Sequence, residues 1–326
     1  MGIDKKFEDL FINVSSRAAL ASYYFIGKKD KIAADKAAVD TMRTELNKIN
    51  MRGNIVIGEG ELDEAPMLYI GEKLGNKSGP ELDIAVDPLE GTNFVANNLP
   101  GALSVIAVAE KSNLFNAPET YMDKISANVN EKNVVDLDFP LKKNIFNLAE
   151  YKNKDPKDIT VCLLDRPRHK KIIDELVNIG VKLKLITDGD VSGALLVSED
   201  KYKVDLFLGE GGGPEGVLAA AALDAFNCFF QGKFLFKTDI DKERAKSMGI
   251  NDFDKKYYLE EIVSGDSIFC ATGITSGDLV SGIKIDNNTF YSETLITHKS
   301  SGLKKIIKKH EKIWVLFVSN NNYVSN

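Results

Sequence analysis

Asp87 and Glu90 stand three residues apart in the run Asp83-Ile84-Ala85-Val86-Asp87-Pro88-Leu89-Glu90-Gly91-Thr92. An apolar stretch ends there in an acid, a proline, a second acid, a glycine and a threonine. Two carboxylates on a tight turn, followed by a hydroxyl, can hold divalent cations at the end of a buried strand and place a nucleophilic water beside a phosphate. A second acidic run, Gly58-Glu59-Gly60-Glu61-Leu62-Asp63-Glu64-Ala65-Pro66, directly follows the apolar NIVI stretch at 54–57. In α/β sheets ligands bind at the carboxyl ends of strands. Two such turns could face one cleft, or could be a pair of solvated acidic loops.

Other candidates are weaker taken one at a time. Asp35 lies near the start of a helical pattern, where a capping aspartate is the plainer assignment. The run Gly209-Glu210-Gly211-Gly212-Gly213-Pro214-Glu215-Gly216 follows a strand pattern and opens a helix, so its backbone N–H groups could approach an anion. Glu215 there could equally compensate the helix dipole. No Lys-Ser/Thr follows the glycines, and a G-x-G-x-x-G match fails at Pro214, so a nucleotide site is disfavoured. Arg166 and Arg168 flank Pro167 after the ITVCLL stretch and could clamp a phosphate or simply be solvated. Asp188-Gly189-Asp190 ends the KLKLIT stretch and could cap a helix or accept from sugar hydroxyls. His169, His298 and His310 form no nucleophile–base pattern with a serine elbow and read as surface or satisfied structural histidines.

The elements that must position these residues can be read from periodicity. Phe7, Leu10, Phe11 and Val14 predict an amphipathic helix over 4–26, with Gly27 as its stop. Ala38, Met42, Leu46 and Ile49 predict a second over about 33–49. Short β-rich runs follow at 54–57, 82–86 and 103–109, and the Asn- and Lys-rich stretch 111–158 predicts a strand or two and a connection. From 159 strands alternate with helices, which predicts a mostly parallel sheet. The change of rhythm places a boundary near 155, with an N-terminal α/β half over 1–155 and a C-terminal one over 156–326. The polar Asn320-Asn321-Asn322 predicts a frayed end.

Composition excludes several classes. A net charge of −6 and a pI near 5.4 lack the basic footprint of a nucleic-acid binder. The longest apolar runs, such as 217–223 and 313–318, fall far short of the roughly 20 residues that span a bilayer. No apolar signal core follows Met1, and Lys6 stands where a myristoylation motif needs Ser or Thr. Cys162, Cys228 and Cys270 lie apart in apolar runs, as buried free thiols of a reducing cytoplasm would.

Taken together, these motifs resemble the class II fructose-1,6-bisphosphatases, within the lithium-sensitive, metal-dependent phosphatases that include the inositol monophosphatases. The D-P-x-D-G-T turn of that superfamily is Asp87-Pro88-Leu89-Glu90-Gly91-Thr92 here, with the class II glutamate. The segments 55–75, 114–124 (LFNAPETYMDK), 165–169 (DRPRH), 187–191 (TDGDV), 211–216 (GGGPEG) and 271–283 are similar in the same order, so the resemblance runs from about residue 4 to about 300. It implies a layered αβαβα sandwich of the sugar-phosphatase type, two halves with the active site between them. It implies metal ligation by Asp35, Glu59, Asp87, Glu90 and Glu215, and hard oxygen donors favour Mn²⁺ or Mg²⁺. Substrate contacts carry over onto Lys31, Glu90, Gly91, Thr92, Tyr121, Arg166, Pro167, Arg168, Asp188, Gly189, Asp190 and Gly212. Thr92 would orient the attacking water, with Asp63 or Glu59 as the proton-transfer partner.

The implied reaction is hydrolysis of the 1-phosphate of fructose 1,6-bisphosphate, as in gluconeogenesis, by a cytoplasmic homodimer or homotetramer. Sedoheptulose 1,7-bisphosphate is the near rival, because some family members accept both. A silent sugar-phosphate binder is a distant one. Glu210 departs from the family's usual apolar residue and could disturb substrate or metal binding, and Arg166 replaces a frequent lysine. The stretch 232–262 is shorter than usual, and the tail from 312 has no counterpart.

Overall fold

The computed structural model describes residues 2–60 and 67–313. Glu61, Asp63 and Glu64 of the second acidic run, and the tail with Asn320–Asn322, lie outside the described residues.

The described helices are α1 (Lys6–Tyr23), α2 (Lys31–Asn47), α3 (Thr92–Asn97), α4 (Leu141–Tyr151), α5 (Lys170–Ile179), α6 (Asp190–Leu195), α7 (Gly213–Asp224), α8 (Asp239–Ser247) and α9 (Leu259–Ile262). The strands begin with β1 (Arg52–Ile57), β2 (Lys73–Leu74), β3 (Glu81–Glu90), β4 (Leu103–Glu110) and β5 (Tyr121–Ala127). They continue with β6 (Thr160–Leu164), β7 (Lys182–Ile186), β8 (Leu206–Gly212), β9 (Phe229–Leu235) and β10 (Lys256–Tyr258). The last four are β11 (Ser267–Gly273), β12 (Lys284–Asp286), β13 (Thr289–His298) and β14 (Leu303–Lys312).

These elements stack as helix, sheet, helix, sheet, helix. Phe7, Phe11, Val14 and Ala18 of α1 and Ala38, Met42 and Leu46 of α2 pack on Ile84, Val108 and Ile296 of the first sheet. Leu10, grouped with the apolar stripe by its spacing, instead faces outward and is exposed. On the other face of that sheet, Ala107, Phe269 and Ala271 meet Val217–Leu223 of α7, whose far side meets Met122, Cys162, Phe207 and Phe230 of the second sheet. Burial on both sides explains why 217–223 is apolar all round rather than striped. Ile145, Leu148 and Leu176 of α4 and α5 then cover Val161, Leu163 and Leu206 on the outer face.

The first sheet runs β2-β1-β3-β4-β11-β13, with β12 and β14 also paired to β13. The second runs β10-β9-β5-β8-β6-β7. The chain thus passes from the first sheet to the second between β4 and β5 and returns between β10 and β11, rather than dividing once near 155. The expectation of a mostly parallel second sheet is also corrected. Its parallel part is β7-β6-β8, because β5 inserts antiparallel to both β8 and β9 and β10 is antiparallel to β9. Local strand–helix alternation carries no information about a strand that enters from elsewhere in the chain.

Candidate active site

β1 and β3 are parallel neighbours, and Ile57 lies opposite Ala85. Two residues further along each, Glu59 and Asp87 emerge at the same carboxyl edge, within electrostatic reach of one another. Asp87 and Glu90 are three apart, which in a regular strand would aim them at opposite faces. The register with β4 shifts between them: Asp87 pairs with Val105 and Glu90 with Leu103. Three steps on β3 therefore match two on β4, a bulge that returns both carboxylates to one face. Pro88, which has no N–H for the ladder, sits inside the bulge where none is required. Gly91 follows at φ 82°, a left-handed conformation that glycine adopts without strain, and caps α3, so Thr92 opens that short helix.

Asp35 reaches the same cluster from α2. The helix is capped by Asp30, whose side chain accepts from the Ala33 N–H at 2.9 Å, so Asp35 is not the cap. Lys31 is exposed one turn before it. From the second sheet, β8 delivers Gly212 as the cap of α7 and Glu215 in that helix's first turn. A side chain at Gly211 or Gly212 would collide with the carboxylates of Asp190 and Glu215, so backbone approaches those acids closely only because glycine stands there. Gly189, at φ 87°, caps α6, which begins at Asp190. The Val191 N–H of α6 donates to Glu90 Oε1 at 2.7 Å, joining the two sheets' contributions directly.

The electrostatics are those of anions crowded without enough cations. Burial pushes the Glu59 carboxyl up to about 8, helped by Asp35, Glu119 and Glu215. Burial likewise raises Glu90 to about 8 against the opposing Val191 N–H, with Asp190, Glu215 and Asp188 adding to it. Asp87 is held well above the usual carboxylate range by burial and by Glu90, Glu59, Glu215 and Asp35. Asp35 is raised by burial, and Glu215 by burial against the Lys124 ammonium. Glu90 Oε2 and Asp190 Oδ1 are buried without a hydrogen-bond partner. Among the described residues no three His, Cys, Asp or Glu side chains converge closely enough to ligate one ion as they stand. The donor set nevertheless suits a hard divalent cation: carboxylate oxygens only, surplus negative charge and an orphaned buried oxygen on Glu90.

The remaining candidates form a polar rim. Arg166 pairs with Asp188 at 3.7 Å. Arg168 donates from both Nε and an Nη to the Glu210 carbonyl, at 3.0 and 2.8 Å, and lies 5.0 Å from the Tyr121 ring centre. Tyr121 stands opposite Gly212 in the ladder. Pro167 opens the 3₁₀ turn between the two arginines. His169 is a satisfied structural histidine, its Nδ1 against the Leu164 carbonyl at 2.7 Å and its Nε2 accepting from the Glu210 N–H at 2.9 Å. Three nearby residues had no assigned role in the sequence. Lys237 lies 4.8 Å from the Tyr121 ring centre, Glu119 raises Glu59, and Lys124 is buried beside Asp190. Glu119, Tyr121 and Lys124 lie within the motif 114–124, whereas Lys237 lies in no motif of the sequence.

The profile of the family described as "Bacterial fructose-1,6-bisphosphatase, glpX-encoded" matches residues 6–311. The chain belongs to this family. It is 42% identical over 315 residues to "Fructose-1,6-bisphosphatase 1 class 2" of Escherichia coli, covering 92% of this chain and 94% of that protein. The class 2 enzyme of Haemophilus influenzae is 42% identical with the same coverage. A Synechococcus protein named "D-fructose 1,6-bisphosphatase class 2/sedoheptulose 1,7-bisphosphatase" is 40% identical over 92% of this chain and 93% of its own. A solved inositol monophosphatase from Anabaena overlaps 60% of this chain and 71% of its own at 12% identity and a TM-score of 0.31.

Proposed function

We propose that this protein hydrolyses the 1-phosphate of fructose 1,6-bisphosphate, releasing fructose 6-phosphate and inorganic phosphate. The observation that carries this reading is the bulge in β3, which turns Asp87 and Glu90 onto one face opposite Glu59 and leaves their charge uncompensated. Family membership supplies the substrate class.

Asp35, Glu59, Asp87, Glu90 and Glu215 would hold divalent ions, Mn²⁺ or Mg²⁺. Such ions, when bound, supply positive charge to the phosphoryl and leaving oxygens and acidify bound water. Thr92, at the start of α3, orients the attacking water through its hydroxyl, and Glu59 or Asp63 accepts the water's proton. The water oxygen bonds to phosphorus, the bond from phosphorus to O1 breaks, and O1 takes up a proton. Arg166 and Arg168 hold the remote phosphate beside Tyr121, with Lys31 contributing positive charge near the metal-binding acids. Asp188, Gly189 and Asp190 face the sugar hydroxyls, and Gly91 and Gly212 allow backbone to approach the phosphates. Remote anchoring matters because it positions the reacting phosphate.

Phosphate release with Mn²⁺ from fructose 1,6-bisphosphate, sedoheptulose 1,7-bisphosphate and inositol 1-phosphate tests the reading. Chelator-sensitive release from the first supports it, and release from none of the sugar bisphosphates overturns it. The name of the Synechococcus relative keeps dual activity in view, and the second substrate decides it. We place the reaction in gluconeogenesis, carried out in the cytoplasm by a homodimer or homotetramer. Among the described residues no helix is long and apolar enough to cross a membrane, and sedimentation of the purified chain decides the subunit number.

A further inference from the structure

Lys124 lies mid-strand in β5, yet its side chain is only 1% exposed. Gly216 of α7 makes space for it, since a side chain there would press on its Cδ at 3.3 Å. The stem passes that glycine, and the ammonium donates to the Asp190 carboxylate and to the Gly212 carbonyl, the latter at 2.7 Å. One buried cation thereby ties the turn that opens α6 to the turn that opens α7. The first of these grips Glu90 through the Val191 N–H, and the second carries Glu215.

We propose that Lys124 is a positioning residue that sets the balance between cation binding and phosphate binding in this site. The proposal rests on the phosphatase reading above. Lys124 neutralises Asp190, so the acidic cluster keeps fewer uncompensated charges and the substrate-facing turns present less repulsion to a phosphorylated sugar. Loss of its charge makes the site a stronger trap for a divalent cation and a poorer one for an anion. A purely structural role would loosen the turns and weaken both.

The experiment uses Lys124→Met, which keeps the stem's shape, and Lys124→Gln, which keeps a donor without the charge. Each is first checked for a cooperative thermal transition. Mn²⁺ binding to the resting protein is read from the electron paramagnetic resonance signal of free Mn²⁺, and the KM for fructose 1,6-bisphosphate is measured beside it. In whichever variant folds, the Mn²⁺ dissociation constant should fall and KM rise, each by about fivefold or more. Mn²⁺ affinity that is unchanged or weaker alongside a raised KM would leave only a structural role and overturn the proposal. Tightened Mn²⁺ binding in a protein whose parent hydrolyses neither bisphosphate would sink the substrate assignment while supporting the charge-balancing role of Lys124.

Discussion

Buried carboxylates occupy two contrasting regions of this molecule. At the N-terminal seam, Asp266 accepts from the Ile3 N–H at 2.6 Å, the Ser300 N–H at 2.8 Å, the Ser300 hydroxyl at 2.7 Å and His298 Nε2 at 3.1 Å. His298, fully buried, turns its other nitrogen to Glu8 at 2.6 Å. Burial alone would raise the Asp266 carboxyl, but these donors outweigh it and hold the group below the usual range. Asp205 behaves alike: burial is outweighed by Lys154, the Thr160 N–H and Lys152. At the β3 bulge the same residue types have few donors, one another's charge and an orphaned oxygen, and they titrate high. At the seam the acids arrive with their partners, and at the bulge the partner is left to be supplied, as the proposed cation site requires.

The sharpest way to break this comparison is to neutralise one acid at the bulge. Glu90→Gln or Asp87→Asn should lower phosphate release about 10³-fold or more, since each replaces an anionic oxygen of the proposed cation site with a neutral amide. In chelator above about pH 8, where Glu90 is ionised, Glu90→Gln should melt no lower than the parent, because a repulsive charge has gone. Release within tenfold of the parent, or metal activation unchanged in Asp87→Asn, would remove these residues from the machinery.

Asp266→Asn examines the other region and should do the reverse. It takes an anion from a site built of donors and leaves Ile3, Ser300 and His298 under-satisfied. The expected cost is about 3 kcal/mol of stability. The measurement is a denaturant midpoint, with the specific activity of the folded fraction staying close to the parent's. A variant as stable as the parent would erase the distinction drawn between the two regions.

The two regions also make opposite pH signatures. Asp266 and Asp205 are depressed in the fold, so their contribution is present above the unfolded carboxylate value of 3.8 and is lost as pH falls through their lower folded values. Glu59 and Glu90 are raised from 4.5 to about 8. Between those values the folded chain binds more protons than the unfolded one, so stability in chelator should decline as pH rises from about 4.5 to about 8. Mn²⁺ should restore the melting temperature at the upper end, and Glu90→Gln should flatten the slope. A metal-free melting temperature that climbs steadily across that window would contradict the assignment of surplus charge to the bulge.

Much of this arrangement was legible because turn chemistry directly follows apolar strands. The β3 turn, the glycine loop before α7 and the arginine turn after β6 all fall where their residue types place them. The helix face of α2 was legible from its spacing, since Ala38, Met42 and Leu46 are buried as their period requires. What could not be read depended on distant partners. β5 lies in the stretch with weak periodicity because Asp123 and Lys124 interrupt its apolar pattern, and Lys124 is buried against Gly216 and Asp190 far along the chain. α4 was missed in the same stretch. Asp30 rather than Asp35 caps α2, and no local pattern distinguishes two aspartates five residues apart.

The smallest expected effect concerns Glu210, whose acidic side chain lies beside the glycine loop. Its contribution to the rim passes through the backbone: the carbonyl accepts twice from Arg168, and the N–H donates to His169. Neither bond depends on the side chain, which is half-buried and raises the Asp123 carboxyl. Glu210→Ala should therefore change KM for the bisphosphate by less than about twofold, in the favourable direction if any, because surface-facing charges act weakly through solvent. His169→Ala should be the larger of the two, since it removes the acceptor that fixes the Glu210 N–H and with it the carbonyl on which Arg168 rests. If Glu210→Ala instead raised KM as far as His169→Ala does, the carboxylate itself would belong to the site, and the division between donors built into the fold and charge left for a ligand would have to be redrawn around β8.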